Sequence, residues 1–142
     1  METALKESLW NYITIHNPEL MFDLQEEYCV SDYLEQKITA VLPEAERLLQ
    51  NGVPMITVKE ICMEEMTEEL KPSKFLYVKR VLEEEFPTAF EALTESYMLN
   101  YEVLNIMACC ADIFAKFGFG SENENNRTLR YAIMGEINHY LS

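Results

Sequence analysis

A glutamate and a histidine stand three residues apart near the C-terminal end of the chain, at Glu136 and His139. On a helix this spacing lets a carboxylate and an imidazole reach one metal ion, as in carboxylate-bridged di-iron bundles. Such a site needs a second Glu-x-x-His pair, which the sequence lacks, and the reversed pair His16 and Glu19 is interrupted by an Asn-Pro step. We therefore predict no bound metal and no other cofactor. We instead expect His139 to lie near a helix C-terminus, where a positive charge interacts favourably with the helix dipole.

Cysteine is the second residue type that could do chemistry. The adjacent Cys109 and Cys110 lie in an apolar stretch without a flanking Lys, Arg or His that would lower a thiol pKa. No Ser or Cys stands in a recognisable triad, and the glycines fit neither a dinucleotide-binding loop nor a P-loop. The four cysteines, which include Cys29 and Cys62, are too sparse for a disulfide framework. We predict reduced thiols in a cytoplasmic protein that is not an enzyme and has no catalytic residue.

Five glutamates form the most informative charged feature, on a helix predicted from Thr57 to Leu70. We call them the acidic strip: Glu60, Glu64, Glu65, Glu68 and Glu69. Three of the pairs at i,i+4 bring like charges together, at a total cost of about 1 kcal/mol. One hypothesis is a solvated face that Lys71, Lys74 and Arg80 of the next helix neutralise. The other is a docking surface for a basic partner.

The charge of the whole chain bears on the class of partner. The formal net charge is -14, and residues 1–70 carry 15 acidic against 4 basic side chains. A helix-turn-helix over residues 57–86 would place several basic residues on its second helix, but this negative field repels phosphate. The longest apolar run, 106–111, is too short to span a bilayer, and no signal peptide is evident. We expect a basic protein surface or self-association, and neither nucleic acid nor a membrane.

The spacing of apolar residues predicts the elements that position these groups. Apolar side chains recur every three or four residues, which is typical of helices, and no alternating runs flank a hairpin turn. Predicted helix boundaries fall at Thr3, Asn17-Pro18, Ser31-Asp32, Asn51-Gly52, Thr57, Ser73, Pro87, Asn100, Gly118 and Arg127. We predict an all-α fold with one domain over residues 1–142, a multihelical bundle or array of six or seven helices without an internal repeat.

Twelve apolar residues are predicted to form the core of this domain. They are Leu9, Trp10, Ile13, Leu34, Ile38, Leu48, Phe75, Leu82, Val103, Ile106, Ile113 and Phe114. Since the length of the chain allows burial of roughly 70% of the unfolded surface, one sizeable core is expected.

Several short strings resemble a bacterial family of unknown function. They are Pro72-Ser73-Lys74-Phe75, Glu84-Glu85-Phe86, Cys110 with Ile113-Phe114-Ala115-Lys116-Phe117, and His16-Asn17-Pro18-Glu19-Leu20. Members of that family are single helical domains of about this length. The resemblance implies a helical fold and no particular activity.

The leading functional hypothesis is a non-catalytic, acidic protein-interaction module that uses the acidic strip. Two alternatives stay open: an acidic mimic of DNA that occupies a basic nucleic-acid-binding surface, and an enzyme without a recognisable motif. If the protein is an interaction module or a DNA mimic, neutralising the acidic strip abolishes partner binding. If it is an enzyme, neutralising the strip leaves turnover intact.

Overall fold

The computed structural model describes residues 1–142 and consists of α-helices joined by short turns, without β-strands. The predicted all-α class is therefore confirmed. The helices are α1 Glu2–His16, α2 Pro18–Glu26, α3 Val30–Gln50, α4 Met55–Thr67, α5 Lys74–Glu85, α6 Pro87–Glu95, α7 Leu99–Cys109, α8 Ala111–Phe117 and α9 Arg127–Leu141. A 3-10 turn, Glu68–Leu70, extends α4.

The structure has nine helices rather than the six or seven expected, because short turns divide segments that look continuous in sequence. Cys110, with φ -90° and ψ 1°, separates α7 from α8. Pro43 lies inside α3 without ending it. The predicted capping box at Thr57 is wrong, since α4 already begins at Met55. The predicted cap at Ser73 is confirmed, because its hydroxyl accepts a hydrogen bond from the Leu76 amide at 3.1 Å.

The chain forms two compact units, which we call the N-terminal unit, Met1–Lys71, and the C-terminal unit, Pro72–Ser142. The N-terminal unit buries Leu5, Leu9, Ile13, Leu34, Ile38, Val41, Ala45, Val58, Cys62 and Met66. The C-terminal unit buries Phe75, Val78, Val81, Leu82, Val103, Ile106, Cys110, Phe114, Leu129, Ile133 and Ile137. Of the predicted core residues, Trp10, Leu48 and Ile113 are only partly buried and the other nine are buried. The single domain over residues 1–142 stays a prediction.

The two units repeat one arrangement of helices. In each, the first helix contacts the second, the third and the last: α1 contacts α2, α3 and α4, and α5 contacts α6, α7 and α9. Asn17 and Phe86 end the first helices with nearly equal backbone angles, φ -136° with ψ 59° and φ -132° with ψ 56°. Pro18 and Pro87 begin the second helices. The prediction that the chain has no internal repeat is therefore wrong.

Four helices end in the same hydrogen-bonded turn, in which one residue has a positive φ. After α3 and α8 that residue is glycine, Gly52 and Gly118, with φ 82° and 60°. After α2 and α6 it is tyrosine, Tyr28 and Tyr97, with φ 57° and 61°. A left-handed conformation costs a residue with a side chain about 1–2 kcal/mol, and glycine escapes most of that cost. The chain thus carries backbone strain at one equivalent position in each unit.

Candidate functional site

The acidic strip runs along α4 and into the 3-10 turn that follows it. Glu60, Glu64 and Glu65 belong to α4, whereas Glu68 and Glu69 lie in the turn. All five side chains are exposed. The helix is positioned from its opposite side, where Val58, Cys62 and Met66 are buried at a four-residue spacing. The structure therefore places all five predicted residues at exposed positions of α4 and its 3-10 turn, and Glu64, Glu65 and Glu68 line one groove.

Ion pairs distinguish one member of the strip from the others. The Glu69 carboxylate accepts a hydrogen bond from the Lys37 ammonium of α3. Glu60, Glu64, Glu65 and Glu68 form no ion pair. Two other basic residues of the N-terminal unit form ion pairs outside the strip. Lys6 pairs with Glu35 at 2.5 Å, and Arg47 pairs with Glu44 at 2.6 Å. Four of the five carboxylates therefore keep their charge uncompensated by a direct partner.

The charge of the strip also opposes the dipole of its own helix. The C-terminal end of a helix carries partial negative charge, which favours basic side chains in the last turn. No basic residue stands in the last turn of α4, and Glu64, Glu65 and Glu68 cluster there instead. Repulsion between carboxylates and unfavourable interaction with the dipole act in the same direction. The acidic strip therefore destabilises the C-terminal end of α4.

An open groove of about 450 Å³ gives part of the strip a concave shape. Ile61, Glu64, Glu65 and Glu68 line it. Ile61 is partly buried and offers an apolar wall beside three carboxylates. Lysine and arginine have apolar stems below a charged head, so a surface of this composition matches both parts of such a side chain. The geometry suits a basic side chain better than a neutral or acidic ligand.

The cysteines divide into exposed and buried thiols. All four are free, with Cys62 and Cys110 buried, Cys29 partly exposed and Cys109 exposed. Burial raises the pKa of the Cys62 thiol, and the nearby carboxylates of Glu65 and Glu44 raise it further. Burial is also the main cause that raises the pKa of Cys110 to about 12. Both buried thiols are therefore protonated at neutral pH and are poor nucleophiles.

We expect iodoacetamide at pH 8 to modify Cys109 rapidly in the folded protein and to leave Cys62 and Cys110 largely unmodified. Cys109 is exposed to the reagent, whereas Cys62 and Cys110 are buried and their raised pKa values keep them protonated. Peptide mass mapping after short labelling times measures the rates, with urea-unfolded protein as the reference in which all four react. Equal rates at Cys109 and Cys110 in the folded protein would contradict this assignment.

The junction of α1 and α2 holds a buried polar group that the sequence analysis did not single out. Asn17 is 8% exposed, and its Nδ2 donates to the Leu70 carbonyl and to Glu19 Oε1, both at 3.4 Å. Its Oδ1 and the second Glu19 oxygen are buried without a hydrogen-bond partner in the protein. The rings of Tyr12 and His16 stack beside it, 3.9 Å apart. The repeat does not point to this polar group, because the equivalent residue of the C-terminal unit, Phe86, is apolar.

Glu136 and His139 are both on α9, and neither joins a metal-binding cluster. No group of three or more His, Cys, Asp or Glu side chains lies close enough to hold a metal ion. Glu136 is partly buried, whereas His139 is exposed in the last turn of α9, at the helix C-terminus where the sequence analysis placed it.

No helix combines the length and the apolar composition needed to cross a membrane.

Comparison with known proteins gives no relative from which a function could be carried over: no family model, no curated protein and no solved structure matches the chain.

Proposed function

We propose that this chain is a non-catalytic, acidic protein-interaction module and that the acidic strip binds a basic surface of a partner protein. The observation that carries the proposal is the open groove lined by Ile61 and by three glutamates, Glu64, Glu65 and Glu68, that form no ion pair. A lysine or arginine of the partner supplies the missing counter-charge there. The same contact reduces the repulsion between the glutamates of α4, so partner binding also stabilises this helix electrostatically.

The four free thiols and the negative net charge support the remaining parts of the proposal. A reducing compartment keeps Cys62 and Cys110 as thiols, which is consistent with a cytoplasmic protein. The formal net charge of -14 speeds encounter with basic partners and slows encounter with nucleic acid.

Replacing Glu60, Glu64 and Glu68 together with glutamine tests the proposal. We expect the melting temperature to rise by about 1–3 °C, because two like-charge i,i+4 pairs and an unfavourable dipole interaction are removed. We expect partner binding to be lost at the same time, since the carboxylates that meet the basic surface are gone. Calorimetry measures the first effect. A pull-down from cell extract at low and raised salt measures the second.

The matched control replaces Glu7, Glu46 and Glu83 with glutamine. These residues are exposed and in no ion pair, and the change in net charge is the same. The control should keep the partner, because the charges it removes are scattered over three helices. If both variants retain the partner, or both lose it equally, the strip is no specific docking surface. Competition by duplex DNA for the captured partner would favour the DNA-mimic alternative.

A further inference from the structure

Two tyrosines occupy equivalent positions in the two units and project almost completely into solvent. Tyr28 follows α2 and is 94% exposed, and Tyr97 follows α6 and is 95% exposed. The hydrogen bonds around them are also equivalent. The amide of Tyr28 donates to the Gln25 carbonyl at 3.2 Å, and the amide of Tyr97 donates to the Thr94 carbonyl at 3.2 Å. Rings this exposed contribute almost nothing to the packing of either unit.

The backbone at these positions favours a different residue. The same turn after α3 and after α8 contains glycine, at Gly52 and Gly118, which adopts a positive φ readily. Tyr28 and Tyr97 adopt it against the preference of a side chain. Within this chain the turn contains tyrosine after two helices and glycine after the other two. Two large, strained and exposed side chains in its place need another explanation.

The surroundings of each tyrosine favour a positively charged ligand. Each lies two residues after an exposed glutamate, Glu26 or Glu95, which ends its helix and forms no ion pair. Neither helix has a basic residue in its last turn, so the negative end of each dipole is uncompensated. An aromatic face attracts lysine and arginine through its quadrupole. The tyrosine ring, the neighbouring glutamate and the negative end of the helix therefore all favour a positively charged ligand.

We propose that Tyr28 and Tyr97 are two equivalent contact points for arginine or lysine side chains of a protein partner. Each ring provides a cation–π contact, and Glu26 or Glu95 pairs with the same cation. This inference rests on the proposed function for the class of partner, but it concerns different residues from the acidic strip. It explains why tyrosine stands where glycine would fit the backbone better, and why it does so once in each unit.

The test uses the full chain, a nona-arginine peptide as the probe, and two double variants. Tyr28→Asn with Tyr97→Asn removes both rings while asparagine tolerates the positive φ. Tyr28→Phe with Tyr97→Phe keeps both rings. We expect the asparagine pair to weaken peptide binding about tenfold in fluorescence anisotropy, and the phenylalanine pair to bind like wild type. Net charge is the same in all three proteins, so long-range attraction cancels in the comparison.

Ring resonances and stability complete the test. In NMR titrations the ring signals of Tyr28 and Tyr97 should shift, while Tyr131, exposed on the middle of α9, should not. The melting temperature of the asparagine pair should stay equal or rise. Wild-type affinity in the asparagine pair, no binding by wild type, equal shifts at Tyr131, or a melting temperature lowered by several degrees would each overturn the inference. The glutamine variant of the strip, tested by pull-down, decides the proposed function separately.

Discussion

Replacing Ile13 with alanine is expected to lower the free energy of unfolding by about 3 kcal/mol, which for a chain of this size corresponds to a melting temperature lower by about 10 °C. Ile13 is fully buried on α1, in the core that α1 shares with α3 and α4. Alanine removes three carbon atoms and leaves a cavity that the surrounding side chains fill only in part. Urea unfolding followed by circular dichroism measures the change.

Ile15 supplies the matched control, since it is the same residue type on the same helix two positions further along. Its side chain is 52% exposed, so Ile15→Ala should cost less than about 1 kcal/mol. The difference between the two variants isolates burial from helix propensity, which changes equally at both sites. Similar losses for the two variants would show that α1 does not pack with the face the structure assigns to it.

The buried face of α1 was predictable from the sequence because its periodicity is regular. Leu5, Leu9 and Ile13 recur every four residues, which places them on one side of a helix. The same spacing occurs for Val58, Cys62 and Met66 on α4. Amphipathic patterns of this kind survive changes of residue identity, so the helical class could be predicted, and nine of the twelve predicted core residues are buried.

Helix boundaries were less predictable, because several depend on tertiary packing rather than on a local cap. The first helix of the C-terminal unit begins at a true side-chain cap, Ser73, and was predicted. By contrast, α4 begins after Pro54 without a side-chain cap, and it packs with α1 and α3. The turns at Tyr28 and Tyr97 were missed for a related reason. A helix stop is recognised by glycine or asparagine, and tyrosine gives no such signal.

The internal repeat was hidden because the two units conserve the apolar character of core positions and seldom the residue. At a separation of 69 positions, Leu9 corresponds to Val78 and Leu34 to Val103. Aliphatic side chains of similar volume exchange at moderate cost in a core, so few identities survive between the units. Backbone angles do not have this freedom. They reveal the repeat at Asn17 and Phe86, each of which is followed by a proline that begins the next helix.

The composition of the acidic strip was predictable, but its energetics were not. That Glu69 is paired with Lys37 of α3 depends on how α3 packs with α4. The groove beside Ile61 depends on surface shape, which a sequence pattern does not encode. The ends of α2, α4 and α6 then share one property, acidic side chains at a negative dipole without a basic residue. A cationic partner would improve the electrostatics of all three.

Cys110 gives the structure a specific expectation at alkaline pH. Its thiol is fully buried, and its pKa is raised to about 12, mainly by burial and to a lesser extent by the nearby Glu136 carboxylate. In the unfolded chain the thiol has a pKa of about 8.5. Below that pH both states are protonated and the full stabilisation is present. Above it the unfolded chain ionises first, so stability falls as pH rises toward the pKa of the folded state.

From pH 9 to pH 10.5 this thiol should cost the wild type about 2 kcal/mol of unfolding free energy, since one proton corresponds to about 1.4 kcal/mol per pH unit. Cys110→Ala removes that loss, although the small cavity makes the variant somewhat less stable at pH 7. Cys109→Ala, at the exposed neighbouring cysteine, should follow the wild type. Urea midpoints in the presence of a reductant, measured at several pH values, give the three slopes. The partly buried tyrosines titrate in all three proteins, so their contribution cancels in the comparison. Parallel slopes for Cys110→Ala and wild type would mean that the Cys110 thiol ionises as easily in the folded protein as in the unfolded chain, and hence that the junction of α7 and α8 admits water.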